Sequence, residues 1–255
     1  MHKPGRDTHG ASLWLHRLST GASERAALAA RWASVGLLES AELERAAQFK
    51  DERARAQFLS GRALVRQALF DHFGLTPNQA SFTRSVSGKP EIAGRPDLHF
   101  NLSHSHELVV CALARQAIGI DVDLLAREVN PLALAQAYFS PDEVAWITRR
   151  GRPSLARFMA LWVLKEAYLK ALGCGLTVAL DSIEFSHVKP HRCVITMPNS
   201  AVWQAWWAMP CKGYMLALCC QQVPILNAIR WWTGVDPEAT RSQWPQRFVA
   251  VNRHA

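Results

Sequence analysis

Three short segments of this 255-residue sequence combine residue types and spacings that suit a metal ion or a phosphate. The first segment is Gly119-Ile120-Asp121-Val122-Asp123. On a strand, side chains at i and i+2 project to the same face, so Asp121 and Asp123 can converge on one point. Two carboxylates at such a short distance repel each other unless a cation lies between them. Oxygen ligands beside a phosphate suit Mg²⁺. A solvated strand end also explains this segment when it is taken alone.

The second segment is a helix-forming stretch, residues 158–170. Trp162, Glu166 and Lys170 recur every four residues and therefore share one helix face. A carboxylate one turn from a lysine and a tryptophan suits a third metal ligand or a general base. A weak surface ion pair between Glu166 and Lys170 is the alternative for this helix.

The third segment is Asn101-Leu102-Ser103-His104-Ser105-His106. Its amide, hydroxyl and imidazole groups offer several hydrogen-bond donors within a few residues, which suits a phosphate. A hydrogen-bonded turn is the alternative. His104 and His106 also have the spacing of a metal pair, but no third His or Cys follows at a recognisable distance, so no zinc site is predicted.

The hydrophobic pattern predicts the elements that position these segments. Strands are expected at 12–18, 81–84, 98–102, 108–114 and 117–123, and helices at 23–34, 41–49, 51–73, 131–139, 141–149 and 154–172. Strands 108–114 and 117–123 are predicted to form a hairpin around Arg115-Gln116. Four further strands are expected between residues 182 and 220.

This order of elements predicts an α+β protein of two similar-sized lobes. The predicted domains are an N-terminal lobe, 1–116, and a C-terminal lobe, 117–223, which carries the metal site. Residues 224–255 form a C-terminal extension to which the sequence assigns no role.

Composition and charge exclude several classes of protein. No apolar run approaches the roughly 20 residues that a membrane span requires, and the apolar stretch near the N-terminus is too short for a signal peptide. No C-x-x-C pair occurs among the six cysteines, so reduced cysteines and a cytoplasmic location are expected. The net charge of +8 favours anionic partners, including nucleic acid, phosphorylated small molecules and acidic proteins.

The segments gain specificity from their order along the chain. Gly88-Lys89-Pro90 precedes the asparagine-serine-histidine segment, the aspartate strand and the Trp162-to-Lys170 helix. This series of G-K-P, N-x-S-H-S, G-I-D-x-D and W-x-x-K-E-x-x-x-K, from about Arg45 to about Cys220, resembles the 4′-phosphopantetheinyl transferase superfamily. Its length resembles the monomeric, surfactin-synthetase-activating branch. That resemblance implies two pseudo-twofold-related lobes, each a small antiparallel sheet with helices, with the active site in the cleft between them.

The resemblance also implies a role for each matching position. Asp121, Asp123 and Glu166 match residues that hold Mg²⁺ against the pyrophosphate of coenzyme A, and Lys170 matches a lysine that reaches this pyrophosphate. The implied phosphate contacts come from the histidine segment and from a basic set around the 3′-phosphate: Asn101, Ser103, His104, Arg45, Arg84 and Lys89. The implied catalytic residues are Glu166, Lys170 and His104. Alanine at 167 replaces a serine that is often seen in this motif.

The implied activity is transfer of 4′-phosphopantetheine from coenzyme A to a serine of an acyl or peptidyl carrier protein, with release of adenosine 3′,5′-bisphosphate. Glu166 would take the serine proton, directly or through a metal-bound water. Carrier proteins of this kind are acidic, which matches the basic chain. Carriers of fatty-acid, polyketide, non-ribosomal peptide and lysine pathways all fit.

Two other functions could use some of the same residues. Ten tryptophans and 29 basic residues are compatible with stacking on single-stranded nucleic acid. The basic residues are dispersed, however, and no nucleic-acid-binding motif occurs, so no nucleic-acid partner is expected. A metal-dependent phosphoesterase could use the same acidic residues, but it would need a way to position water.

Overall fold

A computed structural model describes residues 10–126, 129–149, 151–174, 178–189, 192–196, 203–221 and 226–232. These residues divide into two compact units. The first unit comprises the described residues within Met1–Thr83, Pro90–Arg115 and Pro224–Ala255. The second comprises those within Arg84–Lys89 and Gln116–Val223. Whether the predicted segments 1–116, 117–223 and 224–255 are separate domains stays a prediction, as does the pseudo-twofold relation between the lobes.

The first unit is a four-stranded sheet covered by helices. Its elements are β1 (Ala11–Arg17), α1 (Ala22–Ser34), α2 (Ser40–Ala47), α3 (Glu52–Phe73), β4 (His99–Ser105), β5 (Leu108–Ala114) and β11 (Leu226–Trp231). The strand order is β11-β1-β5-β4. The β1–β11 pair is parallel and the others are antiparallel. Helix α3 begins where Asp51 accepts hydrogen bonds from the Arg53 and Ala54 amides, and its buried face forms the core with β5.

A short two-stranded sheet accompanies this unit, formed by β2 (Phe82–Arg84) and β3 (Pro90–Ile92). Residues 85–89 connect the two strands in a turn. Gly88 has φ +83°, which favours glycine because a side chain crowds the backbone there.

The predicted hairpin between strands 108–114 and 117–123 is wrong. Strand β5 pairs with β1 and β4, whereas β6 (Ile118–Leu124) pairs with β10 (Tyr214–Gln221) in the other sheet. The hairpin is instead β4–β5, joined by His106 and Glu107. His106 adopts φ +50°, so a histidine occupies the left-handed position where glycine or asparagine would have marked the turn.

The second unit is a five-stranded antiparallel sheet with one central helix. Its elements are β6, α4 (Pro131–Tyr138), α5 (Pro141–Thr148), α6 (Leu155–Leu172), β7 (Glu184–Lys189), β8 (Arg192–Thr196), β9 (Trp203–Ala208) and β10. The strand order is β6-β10-β9-β8-β7. Helix α6 packs on β6 and β10 and is buried almost all round. The predicted mixture of helices and small, mainly antiparallel sheets is therefore confirmed.

Part of the C-terminal extension, which the sequence could not place, belongs to the first unit's sheet. Strand β11 lies parallel to β1, and the ring of buried Trp232 stacks on Trp32 with centroids 5.2 Å apart. The main-chain oxygen of Trp232 also accepts a hydrogen bond from His16 Nδ1 at 2.8 Å. This segment thus completes one edge of the sheet. Residues 233–255 of the extension lie outside the described residues.

Among the helices of the described residues, none combines the length and the apolar character that crossing a bilayer requires.

Candidate active site

Strand β6 and helix α6 approach each other so closely that Gly119 has no room for a side chain. A Cβ at this position would lie 2.9 Å from the Ala171 Cα, and nearer still to the Ala167 carbonyl oxygen and the Ala171 nitrogen. All three are backbone atoms, which cannot rotate away. The glycine at the start of the aspartate segment therefore sets the distance between the strand and the helix that carry the candidate residues.

Asp121 and Lys170 meet across this contact. The Lys170 ammonium donates a hydrogen bond of 2.6 Å to Asp121 Oδ1. Asp121 is buried, whereas Lys170 is half-buried, so the ion pair lies at the edge of the packed interface. The structure therefore brings together one residue from the predicted strand pair and one from the predicted helix face.

The predicted shared face of Trp162, Glu166 and Lys170 is visible in the burial of α6. These three residues are half-buried, and every other residue from Phe158 to Ala171 is buried. Because an α-helix has about 3.6 residues per turn, side chains four residues apart lie on nearly the same face. The three side chains consequently form the single open stripe of an otherwise packed part of the helix.

Glu166 lies within electrostatic range of both aspartates. Burial raises the pKa of the Glu166 carboxyl, and the negative charges of Asp121 and Asp123 raise it further, while Lys170 lowers it. A carboxylate with a raised pKa holds a proton more tightly, which suits a general base near neutral pH. Glu166, Asp121 and Asp123 therefore share one neighbourhood with the Lys170 ammonium.

The three carboxylates are not arranged as a ready-made metal site. Among the residues that the structure describes, no group of three His, Cys, Asp or Glu side chains is placed to hold a metal ion. Asp121 Oδ1 accepts from Lys170, and Asp123 Oδ1 accepts from the Leu124 amide at 2.8 Å. The donor set nevertheless fits Mg²⁺, because it consists of oxygens whose mutual repulsion a divalent cation would remove.

A buried ion pair behind α6 anchors the helix, and neither of its residues was among the predicted site residues. Lys165 Nζ lies 2.7 Å from Glu143 Oε2, and both side chains are 1% exposed. Lys165 also donates to the carbonyl oxygens of Leu180 and Ile183, and Glu143 Oε1 accepts from the Phe185 amide. Burial lowers the pKa of Lys165, and the Glu143 carboxylate opposes this shift. The available signal was a lysine on the buried side of an apolar helix, where charge occurs only when paired.

Within the second unit, the turn at residues 85–88 directs the Lys89 side chain to the end of α6 and the start of β6. The Lys89 ammonium donates to three main-chain oxygens, those of Lys170 at 2.7 Å, Ala171 at 3.2 Å and Ile118 at 3.3 Å. Arg84 is exposed and donates to the Gly88 oxygen at 2.9 Å. The implied phosphate contacts of both residues stay predictions.

Asn101, Ser103 and His104 lie within strand β4 rather than in a turn that follows it. Asn101 and Ser103 are buried, while His104 is exposed. Because side chains alternate along a strand, His104 projects to the opposite face from the other two. The structure thus does not gather the three into one cradle, and their contacts with coenzyme A stay predictions.

Arg45 lies at the end of α2 with an exposed side chain. Its guanidinium carbon is 5.2 Å from the centroid of the Phe58 ring, a cation–π distance. Arg62 packs on the same ring at 5.5 Å. The aromatic ring therefore holds two cationic groups together, and the implied contact of Arg45 with a phosphate stays a prediction.

Comparison with known families gives two matches along the chain. Residues 117–219 match the 4′-phosphopantetheinyl transferase superfamily. Residues 26–116 match a second family, which is described as "4′-phosphopantetheinyl transferase, N-terminal". The second match covers most of the first unit, and the first match covers the strand and helix described above.

Three individual proteins illustrate the similarity. The 4′-phosphopantetheinyl transferase Sfp of Bacillus subtilis is 30% identical over 187 residues, covering 69% of this chain and 79% of the relative. The transferase HetI of Nostoc is 38% identical over 157 residues, covering 58% and 65%. A solved structure, the Helicobacter pylori holo-[acyl-carrier-protein] synthase in complex with coenzyme A, is 20% identical and superposes on 41% of this chain and 99% of that one, with a TM-score of 0.35.

Proposed function

We propose that this chain, which belongs to the 4′-phosphopantetheinyl transferase superfamily, transfers 4′-phosphopantetheine from coenzyme A to a serine of a carrier protein. The transferase activity follows from the family. The use of Mg²⁺, the role of each residue and the acidic nature of the carrier are our proposals. The observation that supports them best is the grouping of Glu166, Lys170 and Asp121 at the contact between α6 and β6.

The metal is proposed to bind to Asp121, Asp123 and Glu166. Support comes from their oxygen donors and from the pKa of Glu166, which burial raises and the negative charges of Asp121 and Asp123 raise further. When bound, Mg²⁺ would supply charge neutralisation at the pyrophosphate of coenzyme A. Lys170 pairs with Asp121 in this structure, and its ammonium is proposed to turn to the pyrophosphate when the substrate enters.

Glu166 is proposed to accept the proton of the carrier serine as the hydroxyl attacks the phosphorus that bears pantetheine. Its half-buried position gives the carboxylate access to a substrate, and its raised pKa increases its affinity for this proton. Adenosine 3′,5′-bisphosphate leaves, and Lys170 stabilises the negative charge that develops on its departing oxygen.

The remaining phosphate contacts are proposed from the residue-by-residue match. Asn101, Ser103, His104, Arg45 and Arg84 carry amide, hydroxyl, imidazole and guanidinium donors, which suit phosphate oxygens. Arg45 and His104 are exposed and so are accessible to a ligand. His104 is additionally proposed to act in catalysis by stabilising phosphate charge.

The protein partner is proposed to be an acidic carrier protein, and the chain is proposed to act in the cytoplasm as a monomer. The net charge of +8 supports the choice of partner, because a basic surface speeds the encounter with an acidic one.

Mass spectrometry of apo carrier proteins tests this proposal. Fatty-acid, polyketide and peptide carriers are each incubated with the enzyme, coenzyme A and Mg²⁺, and one or more of them should gain the mass of phosphopantetheine. Glu91→Gln serves as a control for the loss of an exposed carboxylate and should retain activity, whereas Glu166→Gln should lose it. Steady hydrolysis of coenzyme A without any carrier would instead identify a phosphoesterase.

A further inference from the structure

The Lys89 ammonium satisfies the end of helix α6. Its three acceptors are the carbonyl oxygens of Lys170, Ala171 and Ile118, at 2.7–3.3 Å. An ammonium carries three donors, so these carbonyls match the whole set. Two of the acceptors belong to the last turn of α6, and the third begins β6.

Helix geometry explains why a cation is favourable at this place. The last four carbonyls of a helix have no partner within it, and the C-terminal end carries a partial negative charge. Lys89 supplies both hydrogen bonds and a positive charge there. Gly173, which ends α6 with φ +69°, keeps the site open, since a Cβ on it would lie 3.2 Å from Lys89 Cδ.

The backbone of Lys89 is fixed as well as its side chain. Its amide donates to Ser85 Oγ at 3.0 Å, and its carbonyl oxygen accepts from the Ser85 amide at 2.8 Å. The Gly88 amide donates to the Ser85 oxygen at 2.9 Å. The lysine therefore leaves a closed turn and reaches the helix end from a defined origin.

We propose that Lys89 is a positioning residue that ties the turn at residues 85–88 to the last turn of α6 and so holds Lys170 in place. Lys170 is held at its carbonyl oxygen by Lys89, while its own ammonium pairs with Asp121. This role replaces the 3′-phosphate contact that the family resemblance implies, because contact with a phosphate would require the ammonium to release carbonyl partners. The kinetic effect of the tie rests on the proposed transferase function.

The two roles differ in their dependence on the 3′-phosphate of the substrate. Lys89→Met is compared with wild type using coenzyme A and 3′-dephospho-coenzyme A. Loss of positioning should lower kcat about tenfold or more with both substrates. The ratio of kcat/KM for coenzyme A to kcat/KM for 3′-dephospho-coenzyme A should stay within about threefold of its wild-type value. A phosphate contact would instead lower kcat/KM for coenzyme A alone. Lys212→Met, which removes an exposed lysine of the same unit, should leave kcat within about twofold.

A second variant perturbs the same contact without changing any charge. Gly173→Ala places a methyl group against the Lys89 stem, whereas Gly74→Ala introduces the same left-handed alanine, also at φ +69°, with nothing within 4 Å of its Cβ. Both substitutions share the backbone strain. Only Gly173→Ala should lower kcat, again equally for both substrates. If Lys89→Met does not fold, the comparison of Gly173→Ala with Gly74→Ala tests the proposal instead.

Hydrogen–deuterium exchange tests the contact of Lys89 with the last turn of α6 independently of the transferase function. In Lys89→Met, amides at 165–173 should exchange faster than in wild type, and those of α3 should not change. If the wild-type chain transfers no phosphopantetheine, the proposed function is wrong, and the exchange result alone then tests the positioning role of Lys89. Unchanged exchange at 165–173, or a kcat/KM loss confined to coenzyme A, would overturn the inference.

Discussion

Replacement of Gly119 by alanine is the sharpest structural test of how the candidate site is built. The new Cβ would lie 2.9 Å from the Ala171 Cα, whereas ordinary contacts begin near 3.4 Å. Helix α6 must therefore retreat by at least about 0.5 Å, and by more to clear the closer Ala167 oxygen and Ala171 nitrogen. The 2.6 Å ion pair of Lys170 with Asp121 spans this contact and should lengthen with it.

The magnitude follows from overpacking against backbone atoms. Such a substitution costs roughly 3 kcal/mol, the upper end of the usual range, because no side chain can move aside. For a chain of this size that corresponds to a decrease in Tm of about 6–12 °C. A displacement on the order of 1 Å at a catalytic group also lowers turnover by about a hundredfold.

Thermal unfolding and carrier modification are measured on the same preparation. Gly61→Ala is the matched control, since Gly61 lies in α3 and the nearest neighbours of its Cβ would be two side chains, Leu102 at 3.4 Å and Val109 at 4.0 Å. That variant should keep its activity and unfold at the same or a slightly higher temperature, because alanine favours a helix. If Gly119→Ala also retained wild-type Tm and activity, the inferred contact between β6 and α6 would be incorrect.

Three further outcomes are expected. Glu166→Gln should lower kcat by about a hundredfold or more. At pH 7 without metal it should also raise Tm, because ionising a carboxyl whose pKa is raised in the fold costs folding free energy. This difference in Tm should vanish below pH 4.5, the ordinary pKa of a glutamate, and differential scanning fluorimetry across pH measures it. Lys165→Met should destabilise the fold by about 3–5 kcal/mol in urea denaturation by leaving the Glu143 charge buried alone, and Lys165→Met with Glu143→Leu should recover part of this loss; an additive loss in the double variant would refute the coupling. Mg²⁺ should raise the Tm of wild type, and EDTA should abolish transfer; a Glu166→Gln variant with an equal Mg²⁺-dependent rise would argue against a metal ligand at this position.

Much of the fold could be predicted from the sequence because local signals agreed with it. A helix was predicted at 51–73, directly before Gly74, and this glycine adopts the left-handed conformation that closes α3. The stripe of Trp162, Glu166 and Lys170 followed from a spacing of four residues and is the open side of α6. Both predictions depend on residues close together in the chain.

The failures involve partners that lie far apart in the chain. Strand 117–123 was paired with its sequence neighbour, but β6 finds its partner in β10, almost a hundred residues later. The true turn was missed because His106 carries the positive φ that is usual for glycine. Strand β11 could not be placed, since pairing with β1 depends on a contact between the two ends of the chain.

The candidate site was predictable in its residue types and less so in their contacts. The acidic residues and Lys170 were found because their spacing on a strand and on a helix puts each set on one face. The partners of Lys89 are backbone oxygens, which no residue type reveals. The buried pair of Lys165 with Glu143 joins two helices and a strand, so only the tertiary structure discloses it.

The central claim is that Asp121, Asp123 and Glu166 bind one divalent cation beside the nucleotide of coenzyme A. Anomalous diffraction from crystals grown with coenzyme A and Mn²⁺ tests it directly. We expect one strong peak at roughly 2–2.5 Å from oxygens of all three side chains, with the Lys170 ammonium moved from Asp121 towards the pyrophosphate. A structure with coenzyme A bound, no peak at these carboxylates and Lys170 still paired with Asp121 would contradict the account.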